Sequence, residues 1–381
     1  MIFSKKLITG LVFSVYLISI LASCDSDTKN KLLKNNTSTL SYAKRFTITK
    51  EENATVLKLL GNKGDSAVTA TFVLYSKSKP ANHQDAYFIK TPVKNVACMS
   101  SIYSAMLAKL GEEKSIIAID NVDYYNNTVI QQAVSEHKIT ELSKGPKMNI
   151  EQTMALNPDL ILTFGMGNPS LDIDKKLVQA NIPIAISLDH LEETPLARAE
   201  WIKFFACFFN KEHLADSLFA ITEKKYLDLK KLTEHQTVRP TVLTEIKYGD
   251  TWYVPGGNSY VGNLLADAGA SYFWSHEKQT GSIPLSFETV YTKAKDCDFW
   301  INLYQVNTKK ELLSYDERYS LFNAFKKNKL YNNNKTQNSK GYSNYWEAGI
   351  TNPDEVLKDL IFIISPTLLP NYTLMYYKQI E

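Results

Sequence analysis

Hydrophobic positions change their period several times along the chain, and the changes divide it. A mostly apolar run from Leu7 to Leu21 follows Lys5 and Lys6. From Phe46 to Ile89, short alternating segments (Ala54–Leu60, Ala67–Leu74) are separated by Gly61-Asn62 and Lys63-Gly64, which predicts a small β-hairpin layer. From Val93 the texture becomes βα alternation. Val93–Met99, Ser115–Ile119, Leu160–Phe164 and Ile182–Leu188 are apolar runs of strand length. Ile102–Leu110 and Ile150–Leu156 repeat at helical spacing, the first stopped by Gly111 and the second by Asn157-Pro158. Strands apolar on both faces that alternate with helices predict a parallel sheet. The stretch from Pro195 to His235 carries Trp201, Phe204, Phe205, Phe208, Leu214 and Leu218 at three- and four-residue spacing, and predicts one long rod or two helices. After Arg239-Pro240 a second βα series follows: strand Thr241–Ile246, helix Ser259–Ala268 stopped by Gly269, helix Phe287–Ala294, strand Phe299–Leu303 and a last helix, Pro353–Ile364. Tyr331–Asn344, rich in asparagine, reads as a low-complexity surface loop. One pattern occurs twice. Asn149-Ile150-Glu151 opens a short helix followed by Asp159 and an apolar strand, and Ser286-Phe287-Glu288 opens another followed by Asp298 and an apolar strand. The echo predicts two similar lobes.

The first apolar run is short for a membrane span and fits the core of a signal peptide. It stops at Leu21-Ala22-Ser23-Cys24, which resembles the bacterial lipoprotein box, with small side chains ahead of a thiol that takes the lipid. Residues 1–23 are therefore expected to be a removed signal peptide and Cys24 the lipidated residue. The polar stretch after it, to residue 45, is expected to be a flexible tether. The other cysteines, Cys98, Cys207 and Cys297, lie in apolar runs and are expected to be buried free thiols.

Charge narrows the function. With 43 basic and 40 acidic residues the net charge is only +3, so no bulk field draws the chain to nucleic acid. Arg45, Arg198, Arg239 and Arg318 are the only arginines, which argues against phosphate gripping. The 22 tyrosines exceed ordinary core needs and hint at a binding surface.

Several motifs imitate catalytic ones and fail on spacing. Phe164-Gly165-Met166-Gly167, with Asp189 downstream, imitates a dinucleotide fingerprint, but Ser170 stands where the third glycine belongs. Those glycines read instead as a sharp strand exit into a cleft loop. Gly257-Asn258-Ser259-Tyr260-Val261-Gly262 has one residue too many for a nucleophile elbow, and Ser259 reads as an N-cap. No two of the six histidines sit at metal-ligand spacing, so no metal site is expected; His190 and His276 fall in expected cleft loops. The segment Lys247 to Gly257 holds Tyr248, Trp252 and Tyr253 among glycines and a proline after a strand. Ligands sit at the carboxyl ends of parallel strands, so Lys247, Tyr248, Trp252 and Tyr253 are expected ligand contacts. Tyr124 and Tyr125, and Tyr342, Tyr345 and Trp346, follow the same logic. Glu151 and Glu288 lie in first helical turns, where on composition alone a carboxylate serves the helix dipole.

From about Thr91 to Glu381 the chain resembles the iron-complex and vitamin B12 solute-binding proteins of ABC importers. The resemblance is carried by Pro92-Val93-Lys94-Asn95-Val96, by Asn149-Ile150-Glu151 through Asn157-Pro158-Asp159-Leu160-Ile161, and by Trp252-Tyr253-Val254-Pro255-Gly256-Gly257-Asn258-Ser259. Leu264 through Ala270, Phe287-Glu288 through Trp300, and Pro353-Asp354 through Leu360 complete it. It implies an α/β fold of two Rossmann-like lobes with parallel sheets joined by a long backbone helix. The boundaries it implies are 46–90 for the β-hairpin extension, 91–194 for the N-terminal lobe, 195–237 for the backbone helix and 238–381 for the C-terminal lobe. It also implies that Glu151 and Glu288 dock onto an ABC permease and its ATPase. The implied ligand is an iron chelate, haem or cobalamin, held noncovalently in the inter-lobe cleft without catalysis, by a monomer on the periplasmic face of a bacterial envelope. A lipoprotein esterase and a structural envelope lipoprotein remain open. Lys144, Lys147 and Lys247 are weak substitutes for the cleft arginines that a catecholate complex calls for.

Overall fold

Sheet type follows the hydrophobic period. The computed structural model describes residues 36–38, 40–61, 68–83, 85–143, 147–165 and 173–381. The signal-peptide run, Cys24, Lys144 and Met166-Gly167 lie outside the described residues. The extension is larger than a hairpin layer. Strands Asn36–Ser38 (β1), Phe46–Lys50 (β2), Thr55–Leu60 (β3), Val68–Tyr75 (β4) and Tyr87–Lys90 (β5) form one sheet in sequence order, antiparallel until β5 joins β4 in parallel. Alternation turns Phe46, Ile48, Leu57, Leu59 and Phe72 inward. Their target is aromatic: Phe46 lies 4.7 Å from Trp201 and Phe72 lies 6.1 Å from Phe208, centroid to centroid.

The chain just before β2 is fixed, contrary to a tether reaching residue 45. The backbone N–H groups of Ser41, Tyr42 and Ala43 donate to the Glu200 carboxylate at 2.8–3.0 Å. Those of Lys44 and Arg45 donate to Glu192 at 3.0 Å. Both carboxylates are buried, so these amides supply the pairing that burial requires.

The N-terminal lobe is a parallel sheet of Val96–Cys98 (β6), Ile116–Ile119 (β7), Thr140–Glu141 (β8), Leu160–Phe164 (β9) and Ile184–Ser187 (β10), in the order β10-β9-β6-β7-β8. The order reverses between β6 and β9, which makes the topological switch point. Helix Ile150–Leu156 packs beside it. The Asn149 side chain accepts from the Gln152 amide at 3.1 Å, and Asn157 closes the helix with φ of 46°.

The joint between the lobes is three helices, not one rod: Pro195–Glu200, Ile202–Cys207 and Glu212–Glu234. Asn210, with φ of 56°, breaks the line before the last, which at 23 residues runs about 35 Å. Arg198, in the first helix, touches both lobes. Its guanidinium reaches the buried Asp189 carboxylate at 3.3 Å and lies 5.0 Å over the Tyr260 ring. Asp189 also accepts from Ser187 and Tyr103.

The C-terminal lobe contributes Thr241–Thr244 (β11), Lys247–Tyr248 (β12), Thr251–Pro255 (β13), Ser271–Tyr272 (β14), Ser282–Leu285 (β15), Phe299–Ile301 (β16), Leu330–Asn332 (β17) and Lys378–Gln379 (β18). The main sheet runs β14-β11-β16-β17-β18, parallel but for β18, and β12-β13-β15 forms an antiparallel flap. The Lys247 to Gly257 segment is therefore not an irregular loop. It is this flap, and its glycines serve backbone approach: a Cβ on Gly256 would meet the Gln279 carbonyl oxygen at 2.2 Å, and one on Gly257 the Ser275 oxygen at 2.3 Å. Trp252 points inward and is fully buried, stacked 5.6 Å from Trp300, with its indole N–H on the Thr244 carbonyl at 3.0 Å.

The asparagine-rich stretch is also structural. Asn332, Asn333 and Asn334 are buried. Asn332 accepts from the Leu303 amide at 2.8 Å and donates to the Tyr304 and Val306 carbonyls, each at 2.8 Å. Amide side chains here pair the orphan backbone groups past β16. Cys98, Cys207 and Cys297 are buried free thiols.

At the reversal of order in this sheet, Glu245 follows β11 with φ of 63° and Asn302 follows β16 with φ of 59°. Burial pushes the Glu245 carboxyl up to about 8, with Asn302 Nδ2 at 3.5 Å opposing. Because the folded pKa exceeds the ordinary 4.5, the stability linked to this group is full below 4.5 and is lost as pH climbs through about 8. Glu245→Gln keeps the shape without the charge. It is expected to raise stability at pH 8 by roughly 1–3 kcal/mol and to change little at pH 4.5; parallel melting curves for variant and wild type across this range would refute the assignment. Trp252→Ala is expected to destabilise by about 3–5 kcal/mol in denaturant unfolding, whereas a cost under about 1 kcal/mol would place the indole outside the core.

Candidate ligand-binding cleft

The carboxyl ends of the N-terminal lobe's strands open into a cavity of about 660 Å³. Met99, Ser100, Ser101 and Ile102 follow β6, Asp120 follows β7, and Thr163 and Phe164 end β9, so the cavity sits at the switch point between β6 and β9. Ser143 and Met148 come from the segment after β8. The C-terminal lobe closes the opposite side with Tyr342, Ser343 and Trp346. This size and this mix of aromatic, thioether and hydroxyl groups suit a small molecule. A smaller hollow of about 370 Å³, lined by residues such as Lys50, Glu51 and Glu212, lies away from the lobes' strand ends, and its wall is mainly polar.

The two lobes meet at one edge of the cleft. Asn338 Nδ2 donates to the carbonyls of Asp123 at 2.8 Å and Tyr125 at 3.0 Å. The Glu347 carboxylate accepts from the amides of Asn126 and Asn127, the latter at 3.2 Å. These amides precede helix Thr128–Ser135, where a carboxylate is well placed. Burial still pushes the Glu347 pKa up against those donors. Lys109 adds a bond to the Thr351 carbonyl at 2.6 Å. Tyr124 and Tyr342 meet edge to face at 4.9 Å.

Asp120 is the charged member of the described lining. The Tyr125 hydroxyl donates to it at 2.7 Å and also to the Cys98 carbonyl at 3.0 Å. Burial pushes the Asp120 carboxyl up, opposed first by Tyr125.

The expected ligand residues separate into groups. Tyr124 and Trp346 line the cavity and are 39% and 48% exposed. Tyr125 and Tyr345 are buried, and Tyr345 props Trp346 edge to face at 4.8 Å, so both act as supports. Trp252 is core. Lys247 pairs with Asp316 at 2.6 Å, and hydrogen bonds from Arg318 first and Lys247 second depress the Asp316 carboxyl. Tyr248 and Tyr253 are exposed on the flap and are not among the cavity's lining residues. Lys147 and His276 are exposed, and neither is among the lining residues. The His190 ring meets Phe164 edge to face at 6.4 Å. Glu151 is exposed two residues after the Asn149 cap. Glu288 is exposed two residues after the Ser286 cap, 3.1 Å from Arg318. Asp120, Met99 and Met148 carry no mark as ligand contacts in the sequence, and Phe164 stands there only as the start of the Gly165-Met166-Gly167 strand exit. The signal available for Asp120 was its position as the first residue past an apolar strand.

The model of the family described as periplasmic binding protein matches residues 96–335. An uncharacterized lipoprotein of Methanocaldococcus jannaschii is 25% identical over 95% of this chain and 93% of its own. In fold, the chain is similar to a periplasmic haem-binding protein from Roseiflexus, with TM-score 0.55 and 16% identity over 72% of this chain and 99% of that one. It is likewise similar to a protein of the ABC-type Fe3+-hydroxamate transport system of Saccharomonospora viridis, with TM-score 0.55 and 16% identity over 72% and 94%. With two α/β lobes, a ligand-sized cleft between them and a family match over most of its length, the chain belongs to the periplasmic binding protein family.

Proposed function

We propose that this protein is the extracytoplasmic solute-binding component of an ABC importer, which captures an iron complex, a siderophore or haem, and delivers it to the permease. The observation that carries the reading is the 660 Å³ cleft between the lobes, set at a switch point and walled by Tyr124, Tyr342, Trp346 and Phe164. Flat or bulky chelates bury well against such faces. The haem- and hydroxamate-system proteins of the same fold support an iron complex. Cobalamin is the alternative ligand, and the same titration decides it. On this reading Cys24 carries the lipid, the protein works at the periplasmic face of the envelope, and Glu151 and Glu288 meet the permease.

Trp346 provides the readout. Titration with a ferric hydroxamate, haemin or cyanocobalamin is expected to quench tryptophan fluorescence saturably for the true ligand class. Trp346→Phe is expected to remove most of that quench. Absence of saturable quenching, or of any bound chromophore, with all three would defeat the reading.

For docking, the Glu151→Ala and Glu288→Ala double variant is expected to keep solution affinity within about two-fold while cellular uptake falls steeply, more than for either single variant. Each rim charge contributes modestly alone, and two on one rigid body gain from effective concentration. Equal losses of binding and uptake would assign the carboxylates to the cleft.

A further inference from the structure

The charge of the ligand is legible in the cleft wall. Among the described lining residues the formal charge is a carboxylate, Asp120, and no lysine or arginine stands with it. Its place is fixed. It is the first residue past β7, and the Tyr125 hydroxyl holds it at 2.7 Å from a fully buried ring. Around the same cavity stand four aromatic rings, Tyr124, Phe164, Tyr342 and Trp346, each more than a third exposed. Tyr124 and Tyr342 cross edge to face from opposite lobes, and Tyr345 steadies Trp346 from behind. Met99 and Met148 add polarizable thioethers.

Electron-rich ring faces beside a fixed carboxylate attract a cation, more strongly when water is excluded. The same wall repels a multiply anionic chelate, whose charge would meet Asp120 at reduced dielectric. A neutral chelate would cover the carboxylate without offering it a counter-charge, which is costly. Three solutes of similar bulk are thus ranked by charge alone.

We propose that the ligand of this cleft presents a positively charged group to Asp120 within the ring of Tyr124, Tyr342 and Trp346. Within the iron-complex reading, on which this inference rests, that means a ferric chelate bearing a protonated amine rather than an anionic catecholate. Asp120 is the specificity-determining residue.

The test holds the iron core constant and changes only the charge. Ferrioxamine B carries a protonated pendant amine, and its N-acetyl derivative is the same ferric trihydroxamate without that charge. Both are titrated into the full-length chain in detergent, alongside a ferric tricatecholate. Wild type is expected to bind the amine form at least about ten-fold more tightly than the acetylated form, the value of one charged hydrogen bond, and the tricatecholate most weakly. Asp120→Asn keeps an acceptor for Tyr125. It is expected to lose the preference for the amine and to bind the acetylated form more tightly than wild type does, because no uncompensated charge is then covered. Equal affinity of wild type for the two hydroxamates overturns the proposal, as does tightest binding of the tricatecholate, or a preference that survives in Asp120→Asn. The comparison on wild type stands even where the variant fails to fold. Binding of none of these three, nor of haemin, defeats the iron-complex reading itself, which separates that failure from a wrong charge.

Discussion

The buried pair of Asp189 and Arg198 is the constraint on which the arrangement of the lobes depends. Two charges out of water are costly unless their remaining hydrogen-bonding capacity is met. Asp189 meets it with Ser187 and Tyr103 from the N-terminal lobe, and Arg198 lies over Tyr260 from the C-terminal lobe. Each partner is thereby committed to a different body, and the joint helix carries the connection. Removing one charge would strand the other, at a cost of roughly 3–5 kcal/mol. The scarcity of arginine in this chain makes the placement telling. A planar guanidinium serves a carboxylate and a ring face at once, which an ammonium does less well.

Opposite that permanent tie, the edge of the cleft is held by a lighter set of bonds. Asn338, Glu347 and Lys109 make a handful of polar contacts across the lobes, and several of their atoms are only half-buried. At about 0.5–1.5 kcal/mol each, they total a few kcal/mol. That is the scale on which a ligand's differential affinity moves a two-state equilibrium. A cleft closed by such bonds responds to what fills it, whereas one closed by apolar packing would not. The aromatic contact of Tyr124 with Tyr342 belongs to the same edge, so filling and closing are read by the same residues.

Much of this was visible in the residues. Leu160–Phe164, Ile150–Leu156, Phe287–Ala294 and Pro353–Ile364 occupy the spans their periods and caps dictate, because local and tertiary preferences agree there. The extension and the joint were harder. Phe46 and Ile48 alternate over only five residues, too few to announce a strand against a polar neighbourhood, and the break at Asn210 is one left-handed residue in an apolar run. The site was half legible. Composition marks Trp252 more strongly than Tyr124 or Trp346, since glycine and proline accompany close backbone contacts as well as ligand loops. Only the approach of Gln279 and Ser275 to Gly256 and Gly257 separates the two cases. The buried asparagines were read as a surface loop because amide side chains look alike whether water or backbone carbonyls satisfy them.

The five consecutive amides that grip Glu192 and Glu200 bear on mechanics as well as on stability. Upstream of Ser41 the chain is paired through β1 to β2, and from Ser41 to Arg45 it is gripped by Glu200 of the first joint helix and by Glu192 just before that helix. Glu200 belongs to the first joint helix and Glu192 to the end of the N-terminal lobe, and Tyr42 sits against the hydrophobic cores of both lobes. A tug on the leading segment would therefore reach the pivot and the N-terminal lobe before the C-terminal lobe.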